Sequence, residues 1–115
     1  MVNPSKRKGT KFESELVAYL RYHLESQDIE RRALSGTQDR GDIAGLKDWT
    51  IEAKNHNAQN FAGWLDETQR EQANAGTPYG LLVVRRRMKP VGQSFAVMTL
   101  DQLIDIMLDL EEKGE

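Results

Sequence analysis

The feature that most constrains the fold is the apolar run at residues 81–84, Leu-Leu-Val-Val. Because side chains alternate between the two faces of a sheet, a strand of consecutive apolar residues is buried on both faces. Helices must then cover it. Residues 61–75, followed by Gly76 as a helix-terminating glycine, have the pattern of such a helix. The run therefore predicts a sheet with helices packed on it.

The remaining segments predict two more helices and four more strands. Apolar residues recur at helical spacing over residues 12–24, with Thr10 as the N-cap, and over residues 100–110. The five strands are predicted at residues 30–34, 42–45, 49–54, 79–85 and 94–99. The order α-β-β-β-α-β-β-α gives an α/β fold, a mixed five-stranded sheet flanked by helices, in a single domain over residues 1–115. Residues 1–9 are basic, and we expect them to form a flexible N-terminal arm.

The charge of the chain is polarised along its length. The net charge is −2, yet residues 1–11 carry four basic residues and no acid, whereas residues 101–115 carry a net charge of −5. An acidic chain of this kind can still present one basic face to a nucleic acid.

Composition also limits the setting in which the chain works. It has no cysteine, which excludes disulfides and cysteine-ligated zinc. It has no apolar run of bilayer length and no apolar segment near its N-terminus. We therefore expect a cytoplasmic protein with no membrane partner.

The last predicted helix has a wide apolar face. At 100° per residue its apolar positions cover an arc of roughly 200°, whereas a helix packed on one core needs only about 100°. The surplus width predicts either a second buried contact, such as a homodimer interface, or a nearby loop that covers it.

Two acids and a lysine lie in the predicted hairpin of residues 42–54. Glu52 and Lys54 are two residues apart on one strand, so their side chains share a face of the sheet. If residues 46–48 form a three-residue loop, counting back along the hairpin places Asp42 opposite Glu52. Their Cβ atoms would then lie ~5 Å apart on the same side of the sheet.

Two carboxylates in directly opposite positions are destabilising unless a positive charge compensates them. Hard oxygen ligands of this kind suit Mg²⁺, for which Mn²⁺ substitutes, and the backbone carbonyl of Ala53 could add a third protein ligand. Lys54 could neutralise charge on an attacked phosphate or orient a water nucleophile. A metal at Asp42 and Glu52 would lower the pKa of that water and stabilise the developing oxyanion.

The sequence Asp42 followed by Glu52-Ala53-Lys54 resembles the PD-(D/E)xK nuclease motif. Residues 8–16 (KGTKFESEL) resemble the opening helix of archaeal-type Holliday junction resolvases, and residues 32–36 (RALSG) resemble the strand and loop that follow it. The resemblance covers residues 6–108. It implies a restriction-endonuclease-like fold and a homodimer that cuts four-way DNA junctions during DNA recombination and repair.

The resemblance implies two further site residues, and each has a structural alternative. Glu13 corresponds to the glutamate of the opening helix that completes the acidic cluster and the metal site. It also fits a capping box with Thr10, in which its side chain would accept from the Thr10 amide. Ser35 corresponds to a serine in a loop that assists catalysis, but it could equally be an ordinary turn residue.

Basic residues form several clusters outside the acidic motif. Those at residues 85–89 could be a solvated turn, but together with the basic residues of the first two predicted elements they favour contacts to DNA phosphates. The predicted DNA-binding residues are Lys6, Arg7, Lys8, Lys11, Arg31, Arg32, Arg40, Arg85, Arg86, Arg87 and Lys89.

The function predicted from the sequence is a Mg²⁺-dependent, structure-selective DNA endonuclease, a Holliday junction resolvase acting as a homodimer. One alternative is a related repair or degradative nuclease that cuts flaps, ends or single strands. Another is a non-catalytic DNA-binding module on the same fold.

Overall fold

The computed structural model describes residues 4–33 and 38–114. In chain order the elements are α1 (Pro4–Leu24), β1 (Glu30–Arg31), β2 (Ile43–Ala44), β3 (Trp49–Lys54), α2 (Phe61–Ala75), β4 (Tyr79–Val84), a 3-10 turn (Val91–Gln93), β5 (Phe95–Val97) and α3 (Leu100–Lys113). The predicted order of helices and strands is confirmed.

The five strands form one mixed sheet in the order β1-β2-β3-β4-β5. The pairs β1–β2, β2–β3 and β4–β5 are antiparallel, whereas β3 and β4 are parallel. Parallel neighbours need a crossover connection, and α2 provides it. A mixed five-stranded sheet flanked by helices is therefore the observed architecture.

The core lies between α1 and one face of the sheet. Phe12 and Leu16 of α1 pack with Ile51 and Val83, and all four are buried. The even-numbered side chains of β3 and β4 lie on the other face of the sheet, toward α2, and Leu82 is fully buried there. Burying side chains of this size contributes about 1.5–3 kcal/mol each. The two helices thus cover both faces of the central strand, as its apolar run requires.

The prediction of a flexible arm over residues 1–9 is wrong from Pro4 onward, because α1 begins at Pro4. Proline suits the first turn of a helix, and the lysines and arginine that follow are good helix formers. Thr10 consequently lies inside α1 and does not cap it. This excludes the capping-box alternative for Glu13, because no helix begins at Thr10.

Helix α2 has the predicted bounds of residues 61–75. The Asn60 side chain caps its first turn by accepting from the Gly63 amide, and Gly76 ends it with a left-handed φ of 71°. Helix α3 extends three residues beyond the predicted end at residue 110.

Most strands are shorter than predicted. The predicted strand at residues 30–34 is a two-residue bridge, and Leu34 lies outside the described residues. Strand β2 stops before Gly45, which has φ +94° and passes so close to the Asp28 carbonyl that a Cβ would lie 2.1 Å from its oxygen. Strand β4 stops at Val84, although the Arg85 amide still donates to the Lys54 carbonyl at 2.9 Å.

Helix α3 lies against the sheet edge through polar contacts. The Gln102 side chain donates to the Gly80 carbonyl and accepts from its amide, at 2.7 and 2.9 Å, and the Tyr79 hydroxyl bonds Asp109. None of the residues of α3 is buried, and Leu100 is 71% exposed. Within the described part of the chain, no loop covers this apolar face.

None of the helices that the structure describes has the length and apolar content needed to cross a membrane.

Candidate active site

An open cleft of about 410 Å³ lies where α1 passes the carboxyl-terminal end of β3. The structure brings five of the predicted site residues together in its wall. They are Glu13 from α1, Asp42 from the segment before β2, and Glu52, Ala53 and Lys54 from β3. Ser35, the sixth, lies outside the described residues.

The hairpin register is confirmed at one residue pair, next to Asp42. Ile43 pairs with Ile51, which is the predicted register, and this is the one β2–β3 pair among the described residues. Asp42 departs from that register and does not continue it opposite Glu52. The Asp42 amide donates to the Ile51 carbonyl, and Asp42 Oδ2 accepts from the Ala53 amide, both at 2.8 Å. The side chain of Asp42 thus takes the place of a further β2 residue in the ladder.

Gly41 allows this close approach. Its φ is +95°, a conformation that favours glycine, and a Cβ there would lie 2.9 Å from the Ile51 carbonyl oxygen. Burial raises the pKa of Asp42, and the nearby charge of Asp39 adds to the rise, while the bond from the Ala53 amide lowers it. The tight turn therefore forces a carboxylate into a partly dehydrated position.

Glu13 completes the acidic wall from the α1 side. Its Oε1 accepts from Arg31 Nε at 3.1 Å, and its side chain is 21% exposed. Burial and the charge of Asp42 raise the pKa of Glu13, and Arg31 opposes both effects. Glu13 and Asp42 therefore lie close enough to repel each other electrostatically.

Lys54 is held from the opposite side by α2. Its Nζ lies 3.2 Å from Glu67 Oε2, and its side chain is 19% exposed. A partly buried ion pair fixes the ammonium at the cleft more firmly than a solvent-exposed pair would.

A second group of acids meets Glu52 on the α2 side. One carboxylate oxygen from each of Asp39, Glu52, Glu67 and Glu71 lies within 4.8 Å of all the others. Hard oxygen ligands at this spacing could bind a metal ion. Sequence reasoning missed Asp39, Glu67 and Glu71. The four-residue spacing of the two glutamates, which places them on one stripe of the helix next to β3, was the available signal.

Glu71 is the most constrained member of this group. It is only 2% exposed, and neither of its carboxylate oxygens has a hydrogen-bond partner in the described part of the chain. Burial raises the pKa of Glu71 to about 8, together with the charges of Asp39 and Asp42 and a contact with the Asp39 carboxylate that becomes a hydrogen bond only when Glu71 is protonated. A buried carboxylate without a donor is costly, so this position favours either a proton or a cation.

Several predicted DNA-binding residues line the cleft or the grooves next to it. Lys6, Arg31 and Arg32 lie in the wall of the cleft itself. Asn55 and His56 connect it to a groove of about 300 Å³, whose basic residues are Lys8, Arg85 and Arg87. Lys11 borders Lys8 and Arg85 in a third depression.

The other predicted contacts lie elsewhere. Arg40 lines a small pocket with Arg32 and Asp42. Arg86 stacks over the Phe95 ring, 5.1 Å from its centroid. Arg7 and Lys89 are solvent-exposed.

Among the described residues, the glutamine side chains of α2 form no hydrogen bond with the acidic residues. The Gln72 side chain donates to the carbonyls of Thr77 and Pro78 and so holds the connection between α2 and β4. Gln69 is exposed.

Comparisons with protein-family models, with curated proteins and with solved structures found no match to this chain.

Proposed function

We propose that this chain is a metal-dependent, structure-selective DNA endonuclease of the PD-(D/E)xK class with a restriction-endonuclease-like fold. Holliday junctions, the four-way junctions of DNA recombination and repair, are the proposed substrate. The observation that carries the proposal is the single cleft whose wall holds Glu13 of α1, Asp42, and Glu52, Ala53 and Lys54 of β3.

The proposed cofactor is a divalent cation, Mg²⁺ in the first instance and Mn²⁺ as its substitute, because carboxylate and carbonyl oxygens are the ligands that these ions prefer. The Ile51 carbonyl points toward β2, where it accepts from Asp42. Residues two apart on a strand point their carbonyl groups toward the same neighbouring strand. The Ala53 carbonyl therefore also points to the β2 side of β3, where Asp42 lies. Asp42, Glu52, the Ala53 carbonyl and Glu13 would hold the cation. A cation bound there lowers the pKa of a coordinated water and offsets charge on the attacked phosphate.

The protein's own groups have separate roles around that centre. Lys54, held by Glu67, presents a fixed ammonium to a phosphate oxygen or to the attacking water. Arg31, paired with Glu13 and 43% exposed, remains free to contact a second phosphate. The negative charge of the acidic wall is thereby surrounded by positive groups that attract a polyanion.

The proposed path for the DNA backbone leaves the cleft past Asn55 and His56. It continues along the groove that Lys8, Arg85 and Arg87 border. Contacts of this type bind phosphates without reading sequence, as expected of an enzyme selective for DNA shape.

The proposed active form is a homodimer. The exposed apolar face of α3, with Leu100, Ile104, Met107, Leu108 and Leu110, is the proposed interface. A two-fold dimer would place two cleavage sites against two strands of a roughly two-fold-symmetric junction.

Cleavage of a synthetic four-way junction in Mg²⁺ tests the proposal. We expect paired nicks from the parent protein and none from Asp42→Asn, which keeps the size of the side chain. Preferential cutting of flaps, ends or single strands would instead indicate a repair or degradative nuclease. Junction binding without nicks in Mg²⁺ or Mn²⁺ would indicate a non-catalytic DNA-binding module.

A further inference from the structure

The α2 side of β3 carries more negative charge than the proposed catalytic cation accounts for. The proposed ligands Asp42, Ala53 and Glu13 line the cleft together with Glu52. Glu67 and Glu71 of α2 reach the same residue from the helix, and Asp39 joins them from the loop before β2. Lys54 pairs with Glu67 and with no other member of this α2-side group among the described residues.

Glu71 is the member of the group whose buried carboxylate oxygens lack a donor in the described part of the chain. It is 98% buried, and both of its oxygens lack a donor among the residues the structure describes. One of those oxygens belongs to the group whose members lie within 4.8 Å of one another. Carboxylates cannot donate to one another when ionised, so Asp39 does not satisfy Glu71 without a bridging proton or cation.

The loop that supplies Asp39 is held in place by contacts of its own. Its Oδ1 accepts from the Gly41 amide at 3.0 Å, and its carbonyl accepts from Asn74 Nδ2 on α2 at 2.9 Å. The same helix therefore holds Glu67, Glu71 and the backbone of residue 39. These contacts hold Asp39 in place beside the two α2 glutamates.

The spacing suits a hard divalent cation. Opposite ligands on Mg²⁺ lie roughly 4.2 Å apart, twice the metal–oxygen distance, and those on Ca²⁺ lie roughly 5 Å apart. A group with a maximum spread of 4.8 Å fits between these limits. Small side-chain rotations would adapt it to Mg²⁺ or Mn²⁺.

We propose that Asp39, Glu52, Glu67 and Glu71 bind a second divalent cation, and that Glu52 is shared with the cation of the proposed active site. The second site itself depends only on the four carboxylates. Only the sharing of Glu52 rests on the proposed nuclease function.

Counting bound Mn²⁺ tests the proposal without reference to activity. Mn²⁺ is titrated into the parent protein, and free ion is followed by its electron paramagnetic resonance signal. We expect two ions per chain for the parent and one for Glu71→Gln, or a loss of affinity at that site of about tenfold or more. Asp42→Asn should lose the other ion. Asp66→Asn, an exposed acid on the same helix, is the matched control and should bind two.

Glu71→Gln keeps the side-chain volume, and circular dichroism checks that it folds. If it does not fold, Asp39→Asn at the exposed end of the group replaces it, with the same expected loss of one ion. Unchanged Mn²⁺ stoichiometry and affinity in the folded variant would overturn the second site, and a shared proton would then explain the unpartnered Glu71. Loss of one ion together with no DNA cleavage by any variant would leave the second site standing and refute the nuclease.

Discussion

Replacing Glu71 by glutamine is expected to stabilise the metal-free protein at alkaline pH, because the parent must bury an ionised carboxylate there. The pKa of this glutamate rises from its usual 4.5 to about 8 in the folded chain. A difference of one unit corresponds to about 1.4 kcal/mol, so the full effect is roughly 3–5 kcal/mol. The 2% exposure of the side chain leaves little water to screen it.

The direction of the pH dependence follows from which state holds the proton more tightly. Below about pH 4.5 Glu71 is protonated in both the folded and the unfolded chain, so folding carries no penalty from this group. Between pH 4.5 and about 8 the unfolded chain releases the proton while the folded chain retains it. The free energy of unfolding therefore falls across this window as pH rises, and the full penalty is present above it.

Urea denaturation in the presence of a chelator, near pH 5 and near pH 9, measures the effect. With a urea dependence of about 1–3 kcal/mol per molar, the midpoint of Glu71→Gln near pH 9 should lie about 1–5 M above that of the parent. Near pH 5 the two should almost coincide. Asp66→Asn controls for loss of one negative charge on α2. A Glu71→Gln midpoint equal to or below the parent's near pH 9 would refute the electrostatic reasoning.

Three further outcomes are expected. Lys54→Ala should lower the single-turnover rate of junction cleavage by about 10²–10³-fold while junction binding persists, and an unchanged rate would remove the lysine from the mechanism. Arg87→Ala should weaken junction binding and reduce the slope of log affinity against log salt by about one, measured by fluorescence anisotropy across a salt series. Leu82→Ala should lower the free energy of unfolding by about 2–5 kcal/mol, because the side chain is fully buried, whereas Leu24→Ala, at a position 53% exposed, should cost far less.

Local patterns were sufficient to predict several elements of the fold and part of the site. Helix α2 was predicted to the residue, since its apolar spacing and terminal glycine are properties of neighbouring positions. The hairpin register was equally local, because a three-residue loop sets the first pairs of the hairpin, and it is confirmed at Ile43 and Ile51. Asp42 departs from it, because its amide also donates to the Ile51 carbonyl and its side chain accepts from the Ala53 amide.

Other features depended on contacts between distant segments. The start of α1 at Pro4 was missed because basic residues without apolar periodicity are compatible with either a helix or an arm. The salt bridge between Glu13 and Arg31 joins residues 18 positions apart, and no local pattern separates it from a helix cap.

The sequence by itself determined the order of the elements, the buried central strand and the shared face of Glu52 and Lys54, because each follows from spacing along a few neighbouring residues. Only the tertiary structure brought the carboxylates of α2 and the loop before β2 onto Glu52. Their convergence requires α2 to cross from β3 to β4 against one face of the sheet, and the burial of Glu71 results from that packing. Burial and electrostatic strain of this kind depend on what surrounds a side chain, which its position in the sequence does not specify.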